Sequence, residues 1–255
     1  VKRLSPINFF PLTAGIASKE QAEVMVNKHL LNENEFWGNY TAPTIARNDP
    51  AFSDNNYWRG RIWPPFNYLL YEGLRRYDFH DIANEFAMKS LDAFLKNWRA
   101  NNRVCENYNS VNGDGTDVPN SDPLYAWGAL MGYVGIQEIV DINNREGLHF
   151  GNLSGNCGSV KNLRIGKHIY NVEISSKGLF VKRDGKDLFS TNSPAIVRKL
   201  IFNGKKIFLE FIPVNTENSI IRFYNIKPNT RYSVCVNGRS IKIQSDGKGK
   251  MLIRL

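Results

Sequence analysis

Two stretches of this 255-residue chain carry side chains that can do chemistry. The first is YWRGRIWPPFNYLL, residues 57–70, which sets two tryptophans, two arginines and two tyrosines around Gly60 and a Pro-Pro pair. Buried strands do not tolerate Arg59 and Arg61 readily, and a solvated loop has no need of Trp58 and Trp63. The second is RVCENYN, residues 103–109, where Glu106 stands between Cys105 and Asn107-Tyr108. Pyranose sugars present an apolar C–H face and a rim of hydroxyls. Flat indoles pack the face, and Arg and Asn forks bond the rim. A carboxylate in such a setting can act as a base toward water. Each feature has a plain structural reading beside it. Trp58 and Trp63 could staple their loop onto the following helix, and Glu106 could cap a turn or pair with Arg103.

These residues need elements to hold them. Ser18-Lys19-Glu20-Gln21 is a capping-box pattern and predicts a helix to about Asn32. Pro64-Pro65 opens a second helix to about Arg76. Ile82, Ala83, Phe86, Ala87, Leu91, Phe94, Leu95 and Trp98 recur at helical spacing across 80–101. Ser121-Asp122-Pro123 reads as a cap and first turn for a fourth helix, over 122–141. The connections alternate: long over 33–62, tight over 77–79, long over 102–120. Helices joined this way run up and down, so both long loops emerge at the same end. The first loop offers Trp37, Tyr40, Trp58, Arg59 and Trp63; the second offers Glu106, Asn107, Tyr108, Asn109 and Asn112. Gly73, Gly128, Ala129, Gly132 and Gly135 suit 64–76 and 122–141 to an inner, crowded ring, with 18–32 and 80–101 outside. That is two hairpins' worth of an α/α toroid.

After Gly147 the pattern turns to β. Short apolar runs lie at 159–165, 168–174, 179–183, 195–202, 205–211, 219–224, 231–236, 240–244 and 251–255. Asp184-Gly185, Asn203-Gly204, Asn237-Gly238 and Asp246-Gly247 punctuate them, and these are strong hairpin signals. The expected organisation is a helical domain over 1–147 and an antiparallel β-sandwich-like domain over 148–255.

The net charge of +9 divides unevenly. Residues 1–147 hold 14 Lys and Arg against 18 Asp and Glu, while 148–255 hold 19 against 6. The tail's cations sit at strand-like spacing, with no recognised motif, so a nucleic-acid partner is not expected. Cys105, Cys157 and Cys235 have no CxxC spacing, which argues against a zinc site or a disulfide framework. No cofactor is expected. No run reaches the ~20 apolar residues of a membrane span, and the opening VKRLSPINFFPLTAG lacks the features of a signal peptide.

FFPLTAGIAS (9–18), YWRGRIWPPFNYLL (57–70), CENYNSVNGDG (105–115) and SDPLYAWGALM (121–131) occur in the order and spacing of glycoside hydrolase family sixty-three. The chain resembles the bacterial branch of α-glucosidases and mannosylglycerate-hydrolase-like enzymes over about residues 5–141. The resemblance implies an (α/α)6 barrel and an inverting mechanism. In that mechanism a general acid and a general base stand ~6.5–9.5 Å apart, leaving room for water. It assigns Glu106 as the base. It makes Tyr57, Trp58, Arg59, Trp63, Tyr108 and Trp127 the candidate sugar-binding residues, and an oligosaccharide the partner. The family's acid, an Asp in a Gly-x-Asp-Asn-Ser-like motif, has no match here. Asp54 and Asp117 lie in the long loops but match no family position. The expectation is therefore the C-terminal part of such an enzyme, the rest of the barrel coming from the same or an adjacent reading frame. Family analogy suggests a periplasmic or secreted setting.

Overall fold

A computed structural model describes residues 3–143 and 147–255. The chain divides into two compact units, Val1–Gly135 and Ile136–Leu255. The division falls ahead of the break near Gly147 that composition suggested. The reason is Val140–Asn143, which reads as a helix end but pairs as a strand with Gly147–Phe150, Val140 opposite Phe150.

In the first unit the expected capping box forms. The Gln21 N–H donates to Ser18 Oγ, and the Ser18 N–H donates to Gln21 Oε1. The helix they start runs through Lys19–Val24 and continues with wider π turns to Leu30. Pro64–Arg76 and His80–Asn101 are helical as expected. The aromatic-Pro opening is also helical, a 3-10 turn at Pro6–Phe9 leading into Phe10–Ala14. That short helix packs on Pro64–Arg76. A Cβ on Gly73 would come within 2.8 Å of Leu12 Cβ. Thr13 Oγ1 donates to the Leu69 carbonyl, and Tyr77 Oη to that of Ala17. Phe9, Leu12, Leu30, Phe36, Leu70, Tyr71, Leu74 and Phe86 form the core.

The fourth helix is shorter than its sequence suggests. A 3-10 turn at Ala126–Ala129 leads into Leu130–Gln137. Residues 122–125 are not its first turn. The carbonyls of Pro123 and Asp122 accept from the N–H groups of Val104 and Glu106, and the Tyr125 N–H returns to the Val104 carbonyl. Buried backbone donors of the second long loop need acceptors, and this extended segment supplies them.

The second unit is two six-stranded sheets. One runs Arg239–Gln244, Arg231–Val236, Lys206–Pro213, Ala195–Asn203, Gly147–Phe150, Val140–Asn143. The other runs Met251–Arg254, Ile220–Phe223, Lys186–Thr191, Gly178–Arg183, His168–Ser175, Gly158–Ile165. Phe150 meets Phe189 edge-on at 5.4 Å, and Phe202 meets Phe223 at 5.9 Å, so the two sheets face each other across one core. Pairing is antiparallel with one correction to the expectation: Lys206–Pro213 and Arg231–Val236 are parallel. At the Asp184-Gly185 and Asn237-Gly238 turns both residues take positive φ, as tight hairpins require.

Among the described residues, no helix is long and apolar enough to cross a membrane. No cluster of His, Cys, Asp or Glu among them could hold a metal ion.

Candidate active site

The two long loops of the first unit are sewn together by a small ladder. Arg61–Ile62 pairs antiparallel with Tyr108–Asn109, Arg61 opposite Asn109 and Ile62 opposite Tyr108. The two motifs that could do chemistry therefore share one place.

Glu106 lies just before that ladder and is 9 % exposed. Its backbone is fixed on both sides. Its N–H donates to the Asp122 carbonyl at 2.8 Å, and its carbonyl accepts from Trp127 Nε1 at 2.9 Å. Gly128 makes this approach possible, since a Cβ there would stand 2.3 Å from the Cys105 carbonyl oxygen. Trp127 packs against Tyr125 at 4.4 Å and against Trp63 at 5.5 Å. Trp63 carries Trp58 flat on its face, and Tyr57 stands edge-on to Trp63 at 4.8 Å. An aromatic wall thus runs from the Glu106 carbonyl out to Trp58, which is 45 % exposed.

The candidate sugar-binding residues occupy three different positions. Tyr57, Trp58 and Arg59 are exposed. Arg59 is engaged by Asp54, Nε to Oδ2 at 2.6 Å, which holds its guanidinium at the surface. Trp127 is half-buried, with its indole N–H committed to Glu106. Trp63 is 1 % exposed and its Nε1 donates to the Tyr57 carbonyl, so it supports Trp58 from beneath. Tyr108 is fully buried beside Cys105, Ile62 and Met131. It is a core residue, which corrects the sequence expectation that it faces sugar. Its hydroxyl accepts from the Cys105 N–H at 3.2 Å, and burial pushes the phenol well above its ordinary value. Burial likewise pushes the Cys105 thiol up to about 11.

Arg61 is a site residue that the sequence does not single out. It stands beside the sugar-binding candidates in sequence, yet it is fully buried. Its Nη2 pairs with Asp117 Oδ1 at 2.9 Å and donates to the Asp114 carbonyl. Nη1 reaches Asn55 Oδ1, and Nε donates to Asn107 Oδ1. Asn109 and Asn55 also donate to Asp117 Oδ2. Burial alone would raise the Asp117 carboxyl, but these hydrogen bonds outweigh it and hold the group below the ordinary aspartate value. Asp117 is therefore kept ionised, and Asp54 is spent on Arg59. The one hint of this role in the sequence is that Arg61 directly precedes the apolar pair Ile62-Trp63, both of which are buried.

The aromatic wall thus joins the backbone of Glu106 to an indole face exposed at Trp58. The family model described as mannosylglycerate hydrolase MGH1-like glycoside hydrolase domain matches residues 1–128, and the chain belongs to that family. It is 29 % identical over 125 residues to mannosylglycerate hydrolase MGH1 of Selaginella moellendorffii, covering 48 % of this chain and 23 % of that protein. It is 35 % identical over 78 residues to the mannosylglycerate hydrolase of Thermus thermophilus, covering 29 % of this chain and 18 % of that one. The chain thus spans less than a quarter of either curated relative. A solved structure titled sialidase superposes with a TM-score of 0.59 at 15 % identity, over 76 % of this chain and 20 % of that one. At that identity the likeness speaks to fold alone.

Proposed function

We propose that the protein is part of an inverting glycoside hydrolase acting on α-linked gluco- or manno-oligosaccharides, with Glu106 as its general base. In this reading the helical unit forms a portion of an (α/α)6 toroid. Sugar stacks on Trp58, Arg59 and Tyr57 meet its hydroxyl rim, and Trp63 and Trp127 form the wall behind. Glu106 takes a proton from a water that attacks the anomeric carbon on the face opposite the leaving group. The supporting observation is the continuous contact from the Glu106 carbonyl through Trp127 and Trp63 to the exposed face of Trp58.

No proton donor to the leaving oxygen is assigned to the two loop aspartates Asp54 and Asp117 in this reading. Asp54 is tied to Arg59, and Asp117 is held ionised by Arg61, Asn109 and Asn55, so neither suits the acid's role. The same observation favours a second reading, a carbohydrate-binding portion without turnover of its own. Tryptophan fluorescence, titrated with α-linked gluco- and manno-oligosaccharides, tests what both readings share. Saturable quenching lost in Trp58→Ala is the expected result. No saturable response to any of these sugars would count against both.

A further inference from the structure

Asn107 lies fully buried between two groups with opposite and fixed demands. On one side is Arg61 Nε, which can only donate and bonds Asn107 Oδ1. On the other are acceptors. Asn107 Nδ2 faces Glu106 Oε2 at 3.4 Å and the Asn120 carbonyl at 3.5 Å. An amide can satisfy this arrangement in one orientation only, because the flipped form would set N–H against N–H and oxygen against carboxylate. Arg61 is itself immobilised by Asp117, Asn55 and the Asp114 carbonyl. The Asn107 backbone is tied down too, its carbonyl accepting from Ser121 Oγ at 2.9 Å.

We propose that Arg61 and Asn107 are positioning residues for Glu106. The buried guanidinium fixes the amide's orientation, and the amide N–H holds one carboxylate oxygen, leaving the other to meet water. This rests on reading Glu106 as the general base. It explains why a fully buried arginine sits two residues from the exposed Arg59: its guanidinium bonds Asn107, Asp114 and Asp117 in the loop that carries Glu106, and Asn55. The relay also couples the two long loops, because Arg61 comes from the first and Asn107, Asp114 and Asp117 from the second.

The test reads the orientation of Glu106 rather than turnover, so it can fail while the catalytic reading stands, and the reverse. The probe is Asn107→Asp. It keeps an acceptor for Arg61 and so preserves the buried contact, but it turns a carboxylate oxygen toward Glu106 where an N–H had been. Residues 1–255 are labelled with 13C-glutamate, and Glu106 is assigned by its loss in Glu106→Gln. Side-chain three-bond couplings then report its rotamers. In the wild type one rotamer is expected. In Asn107→Asp the couplings average and the Glu106 carboxyl resonance moves, read at a temperature where circular dichroism shows the variant folded. Arg61→Lys is read in the same way. It keeps a cation opposite Asp117 but has no Nε at the amide, and the same averaging is expected. Wild-type couplings and an unmoved carboxyl resonance in either folded variant would overturn the proposal.

Discussion

Trp58 lies flat on Trp63, with ring centroids 3.6 Å apart and planes 14° apart, and only Trp58 of the pair reaches solvent. The two tryptophans that looked alike in sequence therefore have different work. Trp63→Ala should cost ~3–5 kcal/mol of stability, as for large aromatic truncations in a core. Trp58→Ala should cost only ~0.5–1.5 kcal/mol, the worth of an aromatic pair, while lowering affinity for α-linked sugars at least tenfold, or ~1.4 kcal/mol. Urea melts and sugar titrations on the two variants separate these effects. Equal stability losses would mean that the pair is not layered in this way.

Asp117→Ala should destabilise the protein by ~2–4 kcal/mol. Removing one partner of a buried pair typically costs ~3–5 kcal/mol, and Asp117 keeps some solvent contact, which reduces it. The pH dependence has a definite sign. The Asp117 carboxyl is held below its ordinary value of 3.8 in the folded protein. Its contribution is thus complete above that value and is lost as pH falls through the lowered folded one. Wild type should lose stability on acidification below about pH 4 more steeply than Asp117→Ala. Parallel acid titrations of the two, followed by circular dichroism, would show no difference in slope if the Arg61 pair carried no weight.

Tyr108→Phe should leave sugar affinity unchanged and cost ~1–3 kcal/mol, because the buried Cys105 N–H loses its acceptor. A tenfold loss of affinity with unchanged stability would return Tyr108 to the binding surface.

These cases mark how far the sequence could be read. Hairpins at Asp184-Gly185 and Asn237-Gly238 were plain because the turn chemistry is local. The parallel pairing of Lys206–Pro213 with Arg231–Val236 was not, because no local signal sets it. Lys186–Thr191 does not read as a strand in sequence, because its last four residues, Leu188 to Thr191, are all buried and break the alternation. Ser121-Asp122-Pro123 has the chemistry of a helix cap, but the need of Val104 and Glu106 for acceptors overrode it. At the site, the meeting of the two long loops followed from the alternation of loop lengths. The burial of Arg61, Trp63 and Tyr108 did not, because each is polar or amphipathic, and only tertiary packing decides which end faces inward.

Cysteine chemistry should follow burial. Cys157 is exposed, Cys235 half-buried and Cys105 buried, with its thiol pushed up to about 11. An aromatic disulfide reagent at pH 8 should therefore label Cys157 first and Cys105 only on unfolding. Early labelling of Cys105, located by peptide mapping, would show that the loop carrying Cys105 and Glu106 opens.

The most direct measurement is hydrolysis of α-mannosyl and α-glucosyl fluorides by residues 1–255 and by Glu106→Gln. Fluoride leaves without a proton, so the reaction asks only for the base and the sugar subsite. The account predicts fluoride release above the buffer rate in the wild type, reduced ~10²–10⁴-fold in Glu106→Gln, and no turnover of α-linked oligosaccharides by either. Equal fluoride release by the two proteins, or a wild-type rate no faster than buffer, would contradict Glu106 as the general base of a working subsite in this chain.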